Sequence, residues 1–221
     1  MTTFETPAPI NAVLDIPAGR LMFVAADRPD TTVRVAPADP AKGRDVKAAE
    51  RTTVTYEGGV LRIVTAGGHN QLLGPTGSVE VTVELPAGSG VEAQGGAFEV
   101  RGVGRLGQVA VDGAYRRITF DEVASLRLSA IDGDVEVGRL GGPAQITTAR
   151  GDIRVGEALR GQVVLRTTSG NISIGAAAGV SAALDAGTGY GRVSNALKND
   201  GTAGLDIRAT TSQGDITAVS L

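Results

Sequence analysis

Three segments of this chain repeat one pattern, and that repeat restricts the fold more than any other feature. Leu126–Gly138 reads LRLSAIDGDVEVG, Ala144–Gly156 reads AQITTARGDIRVG, and Val163–Gly175 reads VVLRTTSGNISIG. They align without a gap. Their marker glycines, Gly133, Gly151 and Gly170, stand 18 and 19 residues apart. Self-similarity at a short fixed period marks a repeat architecture, in which each unit buries its apolar face against the next.

Within one repeat the apolar residues alternate: Leu126 and Leu128, then Val135 and Val137. A period of two places them on one face of a strand, with Arg127, Asp134 and Glu136 on the other. Asp132-Gly133-Asp134 separates the two halves, and Asp-Gly is turn chemistry. Each repeat therefore reads as strand, corner, strand, and a second corner at Gly138.

Asp-Gly and Ser-Gly between alternating runs also signal hairpins. The columns decide between the two. Leu128, Ile146, Leu165 and Leu184 fall in one column; Val135, Ile153 and Ile172 form a second; Ala130, Thr148, Thr167 and Ala186 form a third. Parallel coils, stacked about 4.8 Å apart, require equivalent residues in every turn, whereas a meander does not. The expected fold is all-β: a single-stranded parallel β-solenoid with an irregular β N-terminal third. Residues 1–90 form an N-terminal β segment continuous with the solenoid, and residues 91–221 carry the repeats, with a period of about 18–19.

Composition agrees. Hydrophobic residues make up 42% of the 221, but aromatics only 3%, so the core must be aliphatic, which suits thin stacked coils. The 32 glycines follow no collagen period and mark corners. A net charge of −3 gives no electrostatic reason to expect nucleic acid as a partner. The absence of cysteine removes disulfides and thiol chemistry together. No apolar run approaches the roughly 18 residues of a membrane span. The start, MTTFETP, lacks the basic and apolar regions of a secretory signal, so the cytoplasm is the expected location.

Taken in order, Ile10–Ile16, Leu21–Ala26 and Thr32–Ala36 read as strands. Asp39–Arg51 reads as a loop with room for a short helix at Asp45–Glu50. Thr52–Tyr56 and Leu61–Thr65 form a hairpin around Glu57-Gly58-Gly59, and Ala66–Gly77 is a glycine-rich loop holding His69. Ser78–Leu85 alternates, and the Pro-Ala-Gly corners at Pro17 and Pro86 look equivalent. Val91–Val103 and Val109–Phe120 keep the strand pattern with degenerate corners at Gly96-Ala97 and Arg116-Arg117. Ala182–Val193 is a fourth repeat, with its corner at Gly189-Tyr190, and Ile207–Ala218 the last, after a polar insertion at Asn195–Thr202. Terminal coils leave unpaired strand edges, which predicts homo-oligomers through the solenoid ends.

The Thr-x-x-Gly-Asp-Ile-x-Val pattern of Thr148–Val155, with Thr211–Ile216, resembles the bacterial β-strand-repeat family of unknown function labelled "putative adhesin". Thr3–Pro7 and Ala209–Ile216 are similar to its actinobacterial members, and the likeness covers nearly the whole chain. It implies a parallel β-helix-like fold and names no activity.

Candidate chemistry is sparse. Asp134, Asp152, Asn171 and Asp215 share a corner position. A calcium ladder needs about 6–8 oxygen ligands per ion, and one corner acid per coil falls short, so these residues are expected to stabilise the corner. Asp134 and Asp152 could form a glycosidase-like acid pair, but no aromatic platform or long loop accompanies them. His69 has no recognisable Ser/Asp partners for a triad. Arg116-Arg117 could seat an anion, though two residues do not make a patch. Gly102-Val-Gly104 and Gly187-Thr-Gly189 precede no helix and are not phosphate loops. The expectation is a non-catalytic scaffold or interaction module with no catalytic, cofactor or metal residues, its protein partner unnamed. A carbohydrate-active β-helix enzyme is the alternative, and a calcium-dependent surface adhesin the third.

Overall fold

The computed structural model describes residues 1–66 and 77–221. In chain order the elements are β1 (Thr2–Glu5), β2 (Asn11–Asp15), β3 (Ala18–Ala26), β4 (Asp30–Pro37), α1 (Gly43–Glu50), β5 (Thr52–Glu57), β6 (Val60–Thr65), β7 (Val79–Pro86), β8 (Gly90–Leu140), β9 (Ala144–Arg150), β10 (Ile153–Ala158), β11 (Gly161–Ser169), β12 (Ile172–Ala176), β13 (Ala182–Tyr190), β14 (Val193–Ala196), β15 (Leu205–Gln213) and β16 (Ile216–Ser220). The chain is all-β apart from α1.

Alternation of apolar and polar residues makes each segment a strand with one buried face. Corners then fold consecutive strands into two walls around one core. In β9–β10 the turn between walls comes at Gly151, and in β11–β12 at Gly170, with φ of 126° and 153°. A Cβ at either site would collide with the backbone carbonyl of the preceding layer's glycine, Gly133 or Gly151, so only glycine fits. Strand β8 turns such corners without losing its ladder, and its 51 residues run through successive layers of both walls. At the corner where other layers carry glycine, it has Arg116 at φ 73°, the only described non-glycine residue with positive φ.

The columns read from the repeats are real. Val135, Ile153 and Ile172 lie side by side in parallel register and are at most 1% exposed. Burying one such side chain contributes about 1.5–3 kcal/mol. Where a large side chain enters the core, a neighbour is small: Gly102 sits beside Phe23 in one layer and leaves the space filled by Phe120 and Leu106 in the next.

Three departures from expectation stand out. The sheet is mixed, not uniformly parallel. Its layers pair in parallel, but β4 runs antiparallel to both β1 and β7, and β5 antiparallel to β6. These antiparallel pairings lie at the N-terminal end, where the 18-to-19-residue period is absent, and only β5–β6 is a hairpin. The two Pro-Ala-Gly stretches are not equivalent: one joins β2 to β3, the other leads from β7 back to β8, so they turn opposite corners.

Second, the stacking order is not the chain order. β15 lies between β11 and β13, and β16 between β12 and β14. The last repeat is therefore the penultimate layer, and Ala182–Ala196 forms the end. This also shifts the fourth repeat by two residues. Leu184 pairs with Ile207, in the column of Val163, and Thr188 with Thr211, in the column of Thr167. Composition explains the exchange. Leu205, Ile207, Ala209, Ile216 and Ala218 fill an interior layer and are fully buried. β13 carries Gly187 and Gly189 and offers a thinner filling, which is least costly in the layer covered on one side only.

Third, the same device recurs at the other terminus. β2 pairs with β6 on one side and β8 on the other, and β3 lies between β7 and β8. Near each terminus a segment is thus threaded inward, although β1 itself is an edge strand. The N-terminal end of the stack is closed by α1, which packs on β4 and β7, and by a Phe4–Tyr56 ring contact at 5.4 Å joining the two edge strands β1 and β5. Arg28 fastens that end, bonding Asp30 at 2.9 and 3.0 Å, Thr32 at 2.9 Å, and Glu84.

Candidate interaction face

The shared corner position is a hydrogen-bond ladder. Asp134 Oδ1 accepts from the Asp152 N–H at 2.9 Å, Asp152 Oδ1 from the Asn171 N–H at 2.8 Å, Asn171 Oδ1 from the Asp215 N–H at 2.9 Å, and Asp215 Oδ1 from the Arg192 N–H at 2.8 Å. Each side chain holds the next layer's turn. Asp and Asn recur because each supplies a short acceptor and neither clashes at the corner. Arg192, not Tyr190, completes the column, since the end layer's marker is Gly191.

A second ladder runs inside the first. The hydroxyls of Thr167, Thr211 and Thr188 donate to the carbonyls of Gly151, Gly170 and Gly214 at 3.1, 3.0 and 2.9 Å. Threonine is the residue for this column: its methyl packs in the wall while its hydroxyl satisfies a carbonyl near the core. Among the described residues no buried side-chain polar atom lacks a partner.

Asp134 and Asp152 are neighbours, as the spacing implied, but each already accepts a backbone N–H. Asp152 also pairs with Arg154 at 3.1 Å, while Arg150 turns to Asp132 at 3.0 Å. Among the described residues no three His, Asp or Glu side chains are grouped as a metal site would need. Arg116 reaches toward Glu99 at 3.7 Å and lies over the Tyr115 ring at 5.6 Å. His69 lies outside the described residues.

Among the described residues, a concave feature lies elsewhere, on the solvent side of the first wall. A trough of about 640 Å³ crosses the layers from β6 and β2 through β8 to β9 and β11. A second hollow of about 550 Å³ continues it along the strands and shares Glu92, Ala110, Arg127 and Gln145 with it. Neither is lined by Asp134 or Asp152. The floor is made by small residues, Gly90, Ala110 and Ala144, and the sides by long polar ones, Gln108, Gln145 and Gln162 among them.

One outward column carries the trough's charge. Arg62, Val13, Glu92, Ala110, Arg127 and Gln145 follow one another across successive layers. The charged members are separated by a layer bearing a small side chain. Their strands lie two layers, about 9.6 Å, apart, and among the described residues no ion pair joins Arg62, Glu92 and Arg127. Sequence reasoning missed this face. The column was hidden because two of its layers, β6 and β2, lie outside the repeats and are stacked out of chain order.

These features define a class: a stack of β-layers, closed at one end, with corner ladders that are structural and a polar trough on one wall. The match to the family model described as Toastrack DUF4097 extends over residues 22–219, and the chain belongs to that family. No curated protein matches it. The chain is similar to a solved structure titled "putative adhesin" from Bacteroides fragilis, at 14% identity and a TM-score of 0.55, over 99% of this chain and 95% of that one. It also matches a "putative cell adhesion protein" from Clostridium sporogenes at 10% identity and a TM-score of 0.42, over 100% and 98% of the two chains. The Bacteroides fragilis likeness speaks for a common fold alone.

Proposed function

We propose that this chain is a non-catalytic β-solenoid module that binds a partner along the trough of its first wall. The observation that carries this reading is the column of Arg62, Glu92 and Arg127, charged, exposed and spaced two layers apart over a small-residue floor. Side chains on a rigid stack hold their spacing, so the trough is preorganised for an extended partner and loses little entropy on binding. The names of the structural neighbours agree with a role in attachment. The corner acids serve the fold in this reading, since their oxygens hold backbone N–H groups.

The test is capture of partners from the native host with paired variants. Arg62→Glu with Arg127→Glu reverses the trough's charge, and Asp134→Asn with Asp152→Asn removes both acids while keeping the acceptors. Partners lost with the first pair and retained with the second support the proposal. A partner or glycan-cleaving activity that depends on Asp134 and Asp152 and ignores Arg62 and Arg127 favours the enzyme alternative.

A further inference from the structure

We propose that two copies of this chain associate head to head through the C-terminal end layer, Ala182–Ala196, and that association stops at two. The inference is independent of the trough.

Every interior layer is covered on both sides, and its inward side chains are sealed: Ile172 is 1% exposed and Ile216 0%. The next member of that column, Val193, is 45% exposed. Leu184 and Ala186, in the columns of the fully buried Ile207 and Ala209, are only partly buried. Among the described strands none pairs with the outer side of β13 or β14. Of residues 197–204, Leu197 packs partly against the core, while Lys198 accepts from the Ala182 N–H at 3.0 Å and the Asp200 N–H meets Ser181 Oγ at 3.1 Å at the rim. β13 and β14 close the two walls here, and their outer edges present unpaired N–H and C=O groups.

What fits such an edge is another strand with the same layer geometry, and a second copy supplies it. A two-fold axis through Ala186 would lay β13 antiparallel on its copy, bringing Asp185 opposite Gly187 and no like charge opposite itself. Charge permits it. The end segment carries Asp185 and Asp200 against Arg192 and Lys198, a balance of zero in a chain whose net charge is −3. The opposite end presents a different geometry: its edge strands β1 and β5 run antiparallel to their neighbours and are joined by the Phe4–Tyr56 contact, so it does not match β13 and β14. A head-to-head contact between the same end of two copies is isologous and closes as a dimer. An end layer of two short strands covers less than the ~800 Å² per partner of a standard interface, so the dimer forms at high concentration.

Sedimentation velocity on the full chain from about 10 μM to about 1 mM tests this. The expected mass rises from 22.4 kDa toward twice that value. Val193→Glu and Ala186→Glu place charge on the open layer and should hold the chain at monomer mass. Thr53→Glu, on the exposed side of β5, should dimerise as the parent does. Thermal melting confirms that the variants are folded. A monomer throughout the range, association unaffected by Val193→Glu and Ala186→Glu, or growth beyond two copies each overturns the proposal; in the monomer case the open edge is left for an extended segment of a different protein.

Discussion

Asp215 donates its backbone N–H to Asn171 Oδ1 at 2.9 Å, although 44 residues of chain separate them. That bond exists because the last layer is inserted beneath the one made before it. Ala182–Ala196 therefore rests on Leu205–Ser220 and has no other parallel neighbour among the described strands.

Removal of residues 205–221 should accordingly abolish two layers, not one. Hydrogen exchange on the shortened chain is expected to show β13 and β14 as unprotected as a denatured segment, while β9 and β10 stay protected. Retained protection in β13 would mean that it can dock directly on β11.

The corner glycines should tolerate no side chain. Gly170→Ala puts a methyl group against the Gly151 carbonyl at a backbone angle that alanine rarely adopts. A loss of more than about 3 kcal/mol is expected in urea unfolding. Gly187→Ala, where an added methyl meets nothing within 4 Å, should change stability by less than about 0.5 kcal/mol.

The threonine column contributes hydrogen bonds that valine cannot make at nearly the same volume. Thr167→Val and Thr211→Val should each cost about 1 kcal/mol. The two residues are paired across adjacent strands, so the double variant should deviate from the sum, which a double-mutant cycle reads directly.

Acid should loosen the stack at both ends. The Arg28 guanidinium bonded to Asp30 holds that carboxyl below its ordinary range; the Lys42 ammonium does the same for Asp39, and the Ser181 hydroxyl for Asp200. A carboxyl lowered in the folded state contributes stability above its unfolded-state value, roughly 4, and loses it as pH falls through the lower folded value. Melting temperature should therefore drop below about pH 4, less steeply in Arg28→Met, and the difference should shrink in high salt because these groups face water.

Much of the fold was legible because its causes are local. Period-two alternation from Leu126 to Ile174 fixes which side chains face inward, and Asp152 or Asn171 beside a glycine fixes each corner. Strands β2 to β7 were readable for the same reason, including the hairpin at Gly58-Gly59, whereas β1, a four-residue polar edge strand, was not. Layer order was not, because a repeat pattern says what each layer contains and leaves open which layer it touches. Leu184 matched Leu165 by counting from the wrong landmark: in the end layer the marker is Gly191, two residues beyond the glycine that the pattern suggested. The trough was invisible for a related reason. Arg62 and Glu92 share a column only once β2 is placed between β6 and β8, and nothing near either residue encodes that placement.

Layer order is open to direct chemical test, because the chain has no cysteine to interfere. Arg166, Thr210 and Gly187 face solvent in three successive layers, with Thr210 paired to each of the others. Adjacent layers bring Cα atoms within about 5 Å, suited to a disulfide, whereas two layers span about 9.6 Å, which a disulfide cannot bridge. Under mild oxidation, Arg166→Cys with Thr210→Cys and Thr210→Cys with Gly187→Cys should each cross-link fully, and Arg166→Cys with Gly187→Cys should not. Efficient bridging of residues 166 and 187, with none between 166 and 210, would show that the layers follow chain order and would contradict the inserted arrangement.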